Sequence, residues 1–312
     1  EQRREDFLKY QLPFEYDPSA RCPLFDKYLQ RVLPDADCRK VLAEYMGYIF
    51  TTGLKLEKAA ILYGSGANGK SVFFEVVNAL IGPDNICSYS LQNLTKYDSY
   101  QRAELSNKLL NYASEINGKL EASIFKQLVS GEPVEARQIY GRPFVMREYG
   151  KLMFNCNELP KEVENTNAFF RRFLIIPFGQ TIPESEQDPE LAAKIIRDEL
   201  SGVFNWMLEG LRRLLQQRTF TRSAMIREQV EDFRRESDSV AMFLDEGGYK
   251  PDPQSCMLLK DLFYDYRSFC YENGYTPCSL KTVSKRLKNA GYKTERRAPG
   301  YTVYVAKNVE NM

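Results

Sequence analysis

The run Ala59-Ala60-Ile61-Leu62-Tyr63 reads as a buried strand, and Gly64-Ser65-Gly66-Ala67-Asn68-Gly69-Lys70-Ser71 follows it without a break. That octapeptide meets the phosphate-loop pattern G-x-x-x-x-G-K-[ST] at every fixed position. From Lys70 to Ile81 the apolar residues Val72, Phe73, Val76, Val77 and Leu80 share one helical face, and Gly82-Pro83 stops the helix. Strand, glycine loop and helix in this order constrain the chain to an α/β fold with a helix N-terminus facing the loop. Backbone N–H groups there can wrap a polyphosphate at the positive end of the helix. The pattern places Lys70 against the β- and γ-phosphates and the Ser71 hydroxyl on Mg²⁺. ATP or a similar nucleotide is the expected ligand, with all eight residues from Gly64 to Ser71 as contacts. A chance glycine-rich turn is the alternative, and the flanking strand and helix argue against it.

Composition excludes several chemistries. The 312 residues contain no histidine, which removes histidine acid–base catalysis and most zinc sites. The seven cysteines are scattered and form no C-x-x-C pair, as expected of free thiols in a reducing cytoplasm. No apolar run approaches the roughly 20 residues of a membrane span. The first residues are charged, unlike a signal peptide, and none is an initiating Met, so a piece cut from a longer protein is expected. The net charge of +1 conceals an asymmetry: residues 250–312 carry 11 Lys/Arg against 6 Asp/Glu, and the remainder is slightly acidic. A basic tail suggests contact with nucleic acid there, although a merely solvated face would show the same charge.

Four regions emerge. Residues 1–55 are helical, and 56–185 alternate short apolar strands with helices, the pattern of a parallel sheet. Residues 186–248 are helical again. One long amphipathic pattern runs from Asp188 to Gln217, then a charged helix from Arg222 to Arg235, then the Ser237-Asp238-Ser239 cap. In 249–312 a helix from Met257 to Tyr271 precedes a second, capped by Ser279, that bears Lys281, Lys285, Arg286 and Lys288. Two short strands, Tyr292–Arg296 and Tyr301–Val305, then flank a tip that includes Arg297 and Gly300. Helix, basic helix and basic hairpin follow the order of a winged helix, with Arg296 and Arg297 added to its DNA-contacting residues. A small structural cap is the plainer alternative.

Further acidic, amide and arginine signals follow the loop. Lys108 to Glu115 is an apolar strand ending in a carboxylate that can polarise a water for attack on the γ-phosphate. Lys151 to Phe154 ends in Asn155-Cys156-Asn157, where an amide can bond the γ-phosphate. Arg171-Arg172 leads into the apolar run Phe173 to Phe178. These arginines either flank the strand on the surface or supply a finger to a nucleotide held by a neighbouring subunit, worth roughly a thousand- to a hundred-thousandfold in rate.

Taken together, the Asn-Gly-Lys-Ser loop ending, the strand ending in Glu115, the Gly131–Arg137 segment and the Asn157 and Arg172 strands resemble the superfamily 3 helicases. These are AAA+-type ATPases of viruses, phages and plasmids, and the poxvirus-type and phage-type primase-helicases are the most similar. The likeness runs over nearly the whole chain. It implies an AAA+-like ATPase core with helical subdomains on both sides and a C-terminal winged helix. It further implies a ring, commonly a hexamer, that binds Mg²⁺-ATP between subunits and moves on single-stranded and forked duplex DNA. A primase or polymerase domain would share the parent chain. In that family Lys70 and Ser71 are the Walker A lysine and metal ligand, Glu115 the Walker B acid, Asn157 the first sensor, and Arg172, ahead of Arg171, the finger. The channel hairpin corresponds to Glu135–Phe144, with Arg137, Tyr140 and Arg142 toward the DNA. Ser114 stands where many members have a first acid, so Mg²⁺ would rest mainly on Ser71, phosphate and water, and Glu115 is left as metal partner or general base. Two other functions compete: a DNA-binding initiator that uses ATP as an assembly switch without unwinding, and a small-molecule kinase.

Overall fold

The computed structural model describes residues 9–114, 116, 120–160, 163–298 and 300–307. The chain divides into two compact units, Glu1–Pro160 with Thr166–Glu231, and Lys161–Asn165 with Asp232–Met312.

The first unit is built on a parallel sheet. Its five strands are β1 (Ala59–Tyr63), β2 (Ile86–Cys87), β3 (Leu110–Ala113), β6 (Lys151–Cys156) and β7 (Phe173–Pro177), in the order β2-β3-β6-β1-β7. Every pairing is parallel, and Leu62 in β1 sits beside Asn155 in β6 and Ile176 in β7. β1 is apolar throughout because helices cover both faces of such a sheet. The hairpin β4 (Val134–Ala136) and β5 (Phe144–Met146) is a separate antiparallel pair inserted before β6. α3 (Lys70–Ile81) buries Phe73, Val76, Val77 and Leu80, the face that its sequence pattern predicts.

The helices α1 (Pro23–Val32), α2 (Ala36–Tyr48) and α8 (Leu200–Gln217) complete the core. α2 and α8 approach closely through glycine. A Cβ at Gly210 would strike the Ala43 carbonyl, and one at Gly47 would lie 2.7 Å from Leu211 Cβ. The fully buried Glu44 carboxylate sits at this contact, accepting from Arg213 Nε at 2.6 Å and from the Thr221 amide at 2.7 Å. The stretch read as helical from Asp188 to Gln217 forms two helices, α7 (Leu191–Asp198) and α8, broken at Glu199. The reason is tertiary. The Glu199 carboxylate accepts the amides of Leu24 (3.0 Å) and Phe25 (2.9 Å), capping α1, which has no side-chain cap of its own.

The boundary between the units falls in α9 (Ala224–Glu236). The second unit holds α10 (Ser239–Glu246), β8 (Tyr249–Leu258), α11 (Leu259–Glu272), α12 (Leu280–Asn289), β9 (Thr294–Arg297) and β10 (Gly300–Lys307). Asp238 caps α10 and Ser279 caps α12, as their spacing predicts. The three strands form one antiparallel sheet, β8-β10-β9, over a core that includes Phe243, Leu262, Tyr266, Val283, Leu287 and Val303. β8 has no counterpart in the sequence reading. Among the described residues no helix is long and apolar enough to cross a membrane.

Candidate functional site

A cavity of about 730 Å³ opens at the carboxyl edge of the parallel sheet, where β1 delivers the glycine loop to α3. The loop departs from ordinary backbone at Gly66 (φ 116), Ala67 (φ 47) and Gly69 (φ 85), so the chain curls through left-handed conformations before the helix starts. Gly64 is required for a different reason: a Cβ there would strike the Phe178 carbonyl and the Asn68 amide. Lys70 is buried and folds back over the loop, its Nζ donating to Gly64 O at 2.6 Å and Asn68 Oδ1 at 3.0 Å. Burial pushes its pKa below the ordinary lysine value. Asn68 Nδ2 is buried beside it with no hydrogen-bond partner. Ammonium and amide donors at a helix N-terminus suit an anion. Ser65 is exposed at the loop's rim, and Ser71, exposed on the first turn of α3, lines the cavity.

The same cavity is lined by Ser114 at the end of β3 and by Asn155 and Asn157 at the end of β6. Asn157 is exposed beyond the strand, whereas Asn155 is buried and accepts Tyr112 Oη at 2.8 Å. Glu115 lies outside the described residues, and among those described no group of three or more metal-ligating Cys, Asp or Glu side chains forms. Two parts of the wall escaped the sequence reading. Tyr28 in α1 donates from Oη to Gly69 O at 2.7 Å, and the segment 182–192 lines the cavity with apolar Ile182, Leu191 and Ala192 alongside acidic Glu184, Glu186 and Asp188. The Ile182 amide bonds Ala67 O at 2.8 Å, tying this wall to the loop. Only the fold brings these segments together; no local pattern in the sequence marks them.

The two arginines differ sharply. Arg172 has a side chain only 9% exposed. It donates to Ala168 O, to Ser130 Oγ at 2.9 Å and to Glu57 Oε2 at 3.3 Å, with Nε left unpartnered. Arg171 has a side chain 59% exposed and reaches the same Glu57 oxygen at 2.6 Å. Neither lines the cavity of its own chain.

The β4–β5 hairpin projects its tip into solvent. The turn runs Gln138–Gly141, closed by Gly141 N to Gln138 O at 2.9 Å, with Tyr140 at φ 60 and fully exposed. Arg137 Nε donates to Gly141 O, bracing the turn, while Arg142 is exposed just past it. The root is fixed by the buried Arg102, which donates to Glu135 O at 2.9 Å, Leu94 O at 2.9 Å and Lys96 O.

In the second unit Lys281, Lys285 and Lys288 line a groove of about 440 Å³ together with Ser284 and the exposed Tyr301. Arg296 lies directly opposite Tyr301 in the β9–β10 ladder and so shares that face. Two expected contacts stand apart. Arg286 is half-buried and pairs with Asp238 at 2.9 Å, and Arg297 faces Glu295 and Tyr304 on the other side of the ribbon.

Residues 62–172 match the profile of a family of unknown function, DUF5906. The chain is similar to "Putative helicase 121R" of Invertebrate iridescent virus 3, 23% identical over 88% of this chain and 33% of that protein. It is also similar to "Putative helicase L207/L206" of Acanthamoeba polyphaga mimivirus, 26% identical over 48% of this chain and 16% of that one. The chain therefore spans a third or less of the length of these relatives. Among solved structures it resembles the NrS-1 C-terminal region in an apo A form (TM-score 0.54, 14% identity, 95% of this chain and 80% of that one). A second apo structure of that region, residues 305–718, gives a TM-score of 0.51 at 14% identity, covering 95% and 79%. At this identity the structural likeness is one of fold: a mixed α/β chain around a parallel five-stranded sheet. Both sequence relatives are viral proteins that carry the name of putative helicases.

Proposed function

We propose that the chain is the ATP-hydrolysing motor of a viral-type replicative DNA helicase, of the superfamily 3, AAA+ kind, working as a ring. The observation that carries this reading is the carboxyl-edge cavity. Gly66–Ser71 of the loop, Ser114 and Asn157 come from separate strand ends and meet around one volume of about 730 Å³. That volume suits a nucleotide. Asn68 Nδ2, buried and unpartnered, and Lys70, which among the described residues bonds loop oxygens, are donors that fit a triphosphate. The apolar side at Ile182, Leu191 and Ala192 suits an adenine.

In this reading Lys70 would leave Gly64 O and Asn68 Oδ1 for phosphate oxygens, Ser71 would hold Mg²⁺, Glu115 would serve as metal partner or general base, and Asn157 would orient the γ-phosphate. Mg²⁺ supplies neutralisation of the phosphate charge. Burial favours Arg171 over Arg172 as the residue offered to a neighbouring subunit, the reverse of the order expected from sequence, because a 9% exposed guanidinium with three acceptors is not available to a second chain. The hairpin tip with Tyr140 and Arg142, and the winged-helix groove with Lys281, Lys285, Lys288, Arg296 and Tyr301, supply stacking and phosphate contacts for DNA.

The test is hydrolysis and strand displacement on forked DNA. Lys70→Ala should abolish both while keeping the parental circular dichroism, since the loop's shape comes from its backbone. Parental turnover in Lys70→Ala would overturn the nucleotide assignment. DNA-stimulated hydrolysis without displacement would identify an initiator instead.

A further inference from the structure

A second cavity, of about 330 Å³, lies at the opposite, amino-terminal edge of the parallel sheet. Its walls come from the end of α2 and the following loop, from the start of β6, and from both roots of the hairpin. Ser130-Gly131 precede β4, and Arg147 to Tyr149 follow β5. The charge on these walls is one-sided. Lys55, Lys108, Arg147 and Lys151 line the cavity against a single carboxylate, Glu148, and that carboxylate is already paired with Lys9. Lys108 Nζ donates to Asp84 O at 2.7 Å. Lys151 Nζ lies 4.4 Å from the centre of the Tyr48 ring, a contact that attracts the ammonium without neutralising it. Lys108 and Lys151 are half-buried, while Lys55 and Arg147 are exposed at the rim, and like charges gathered on one cavity repel unless an anion joins them. Burial, and then Lys55, lowers the Lys151 pKa to about 8, in keeping with that arrangement.

We propose that this cavity binds a phosphate-bearing ligand, its oxygens held by Lys55, Lys151 and Arg147. The volume sits at the small end of ligand sites, about 300–1,000 Å³, and admits a phosphate with its sugar. Phe50 and Tyr149, half-buried on the same walls, offer ring surface for a base. The site is separate from the glycine-loop cavity, whose lining comes from the other ends of the strands. A ligand here would bear on the hairpin, because Tyr149 also donates to Glu132 O at 2.7 Å, two residues before β4.

The phosphate ester could come from a free nucleotide or from the backbone of a single strand, and the experiment separates them. Lys70→Ala protein, in which the loop site is weakened, is titrated at low salt with AMP and, separately, with a twelve-residue oligothymidylate. The same titrations are run on Lys70→Ala carrying Lys151→Met, and on Lys70→Ala carrying Lys55→Ala, a change on a loop that leaves the sheet intact. At least one probe should bind Lys70→Ala, and either added substitution should weaken it roughly tenfold or more, the loss of one charge-assisted contact. AMP binding that the added substitutions weaken assigns a free nucleotide; oligonucleotide binding alone assigns the strand to this cavity only where the same substitutions weaken it, because the hairpin tip and the second-unit groove are unchanged in these variants. If neither probe binds, or if both added variants bind as Lys70→Ala does, the proposal is overturned.

Discussion

Tyr28 Oη donates to Gly69 O at 2.7 Å, so the N-terminal helix α1 holds the last turn of the glycine loop from beneath. The same ring blocks any side chain at Gly69, where a Cβ would lie 2.9 Å from Tyr28 Cε2 and 2.7 Å from Val32 Cγ1. The phenol is buried, which pushes its pKa upward and keeps it a donor at any working pH. Tyr28→Phe removes one hydrogen bond and no volume. Its cost of about 0.5–1.5 kcal/mol should appear as a several-fold weaker nucleotide affinity with little change in melting temperature. Calorimetric titration with ADP measures it; an unchanged affinity means the loop holds its shape without α1.

Arg171 and Arg172 should separate by phenotype. Arg171→Ala should fold and bind ATP normally yet lose turnover by roughly a thousandfold. Mixing it with Lys70→Ala subunits should restore part of the activity, because one mixed interface then pairs an intact loop with an intact arginine. Arg172→Ala should lower the melting temperature, since it strands the buried Ser130 hydroxyl, at a cost of about 1–3 kcal/mol. A stable, inactive Arg172→Ala beside a fully active Arg171→Ala would restore the opposite order.

The hairpin variant Tyr140→Ala with Arg142→Ala should keep basal ATPase and lose DNA stimulation and strand displacement. Tyr140 is fully exposed, so its removal costs no packing, while base stacking on an aromatic is worth about 1–3 kcal/mol. Rates with and without single-stranded DNA decide the matter; parental displacement would mean that the tip does not grip the strand.

Lys151→Met should raise thermal stability at pH 7. The folded-state pKa of about 8 lies below the ordinary 10.5, so protonation favours the unfolded chain between those values. The penalty is complete below pH 8 and vanishes as pH rises toward 10.5. The melting-temperature difference between variant and parent should therefore shrink between pH 7 and pH 9.5. A difference that is constant with pH would assign the gain to packing alone.

The parts of the fold written in contiguous pattern were legible. β1 (Ala59–Tyr63) and α3 (Lys70–Ile81) form where the apolar spacing predicts, because a buried strand and an amphipathic helix are local signals. What was not legible came from tertiary demands. Pro251 and Pro253 argue against a strand, yet both lie in β8, which is the edge of its sheet and shifts register opposite Tyr304/Val305, so missing donors there cost little. The break at Glu199 exists to cap a helix distant in sequence. In the turn Gln138–Gly141 the left-handed position is taken by Tyr140 and not by the glycine beside it. In the candidate site the glycine loop and the Asn155–Asn157 strand end were readable, whereas Tyr28 and the Ile182 wall were not, and a pair of adjacent arginines gave no hint of which one would be buried.

The strand order also bears on what can be cut from this chain. The segment matching DUF5906 begins at residue 62, inside β1, and stops at 172, one residue before β7. β1 is the strand on which β6 and β7 both lean. A fragment trimmed to that segment would carry half of its own keel, lose the outer plank, and leave β1's remaining backbone open to pairing with any other chain. What inheritance keeps recognisable and what stands up mechanically are different lengths of polypeptide here, and a fragment that keeps the sheet and its helical cover whole has to run from α1 to the end of α8.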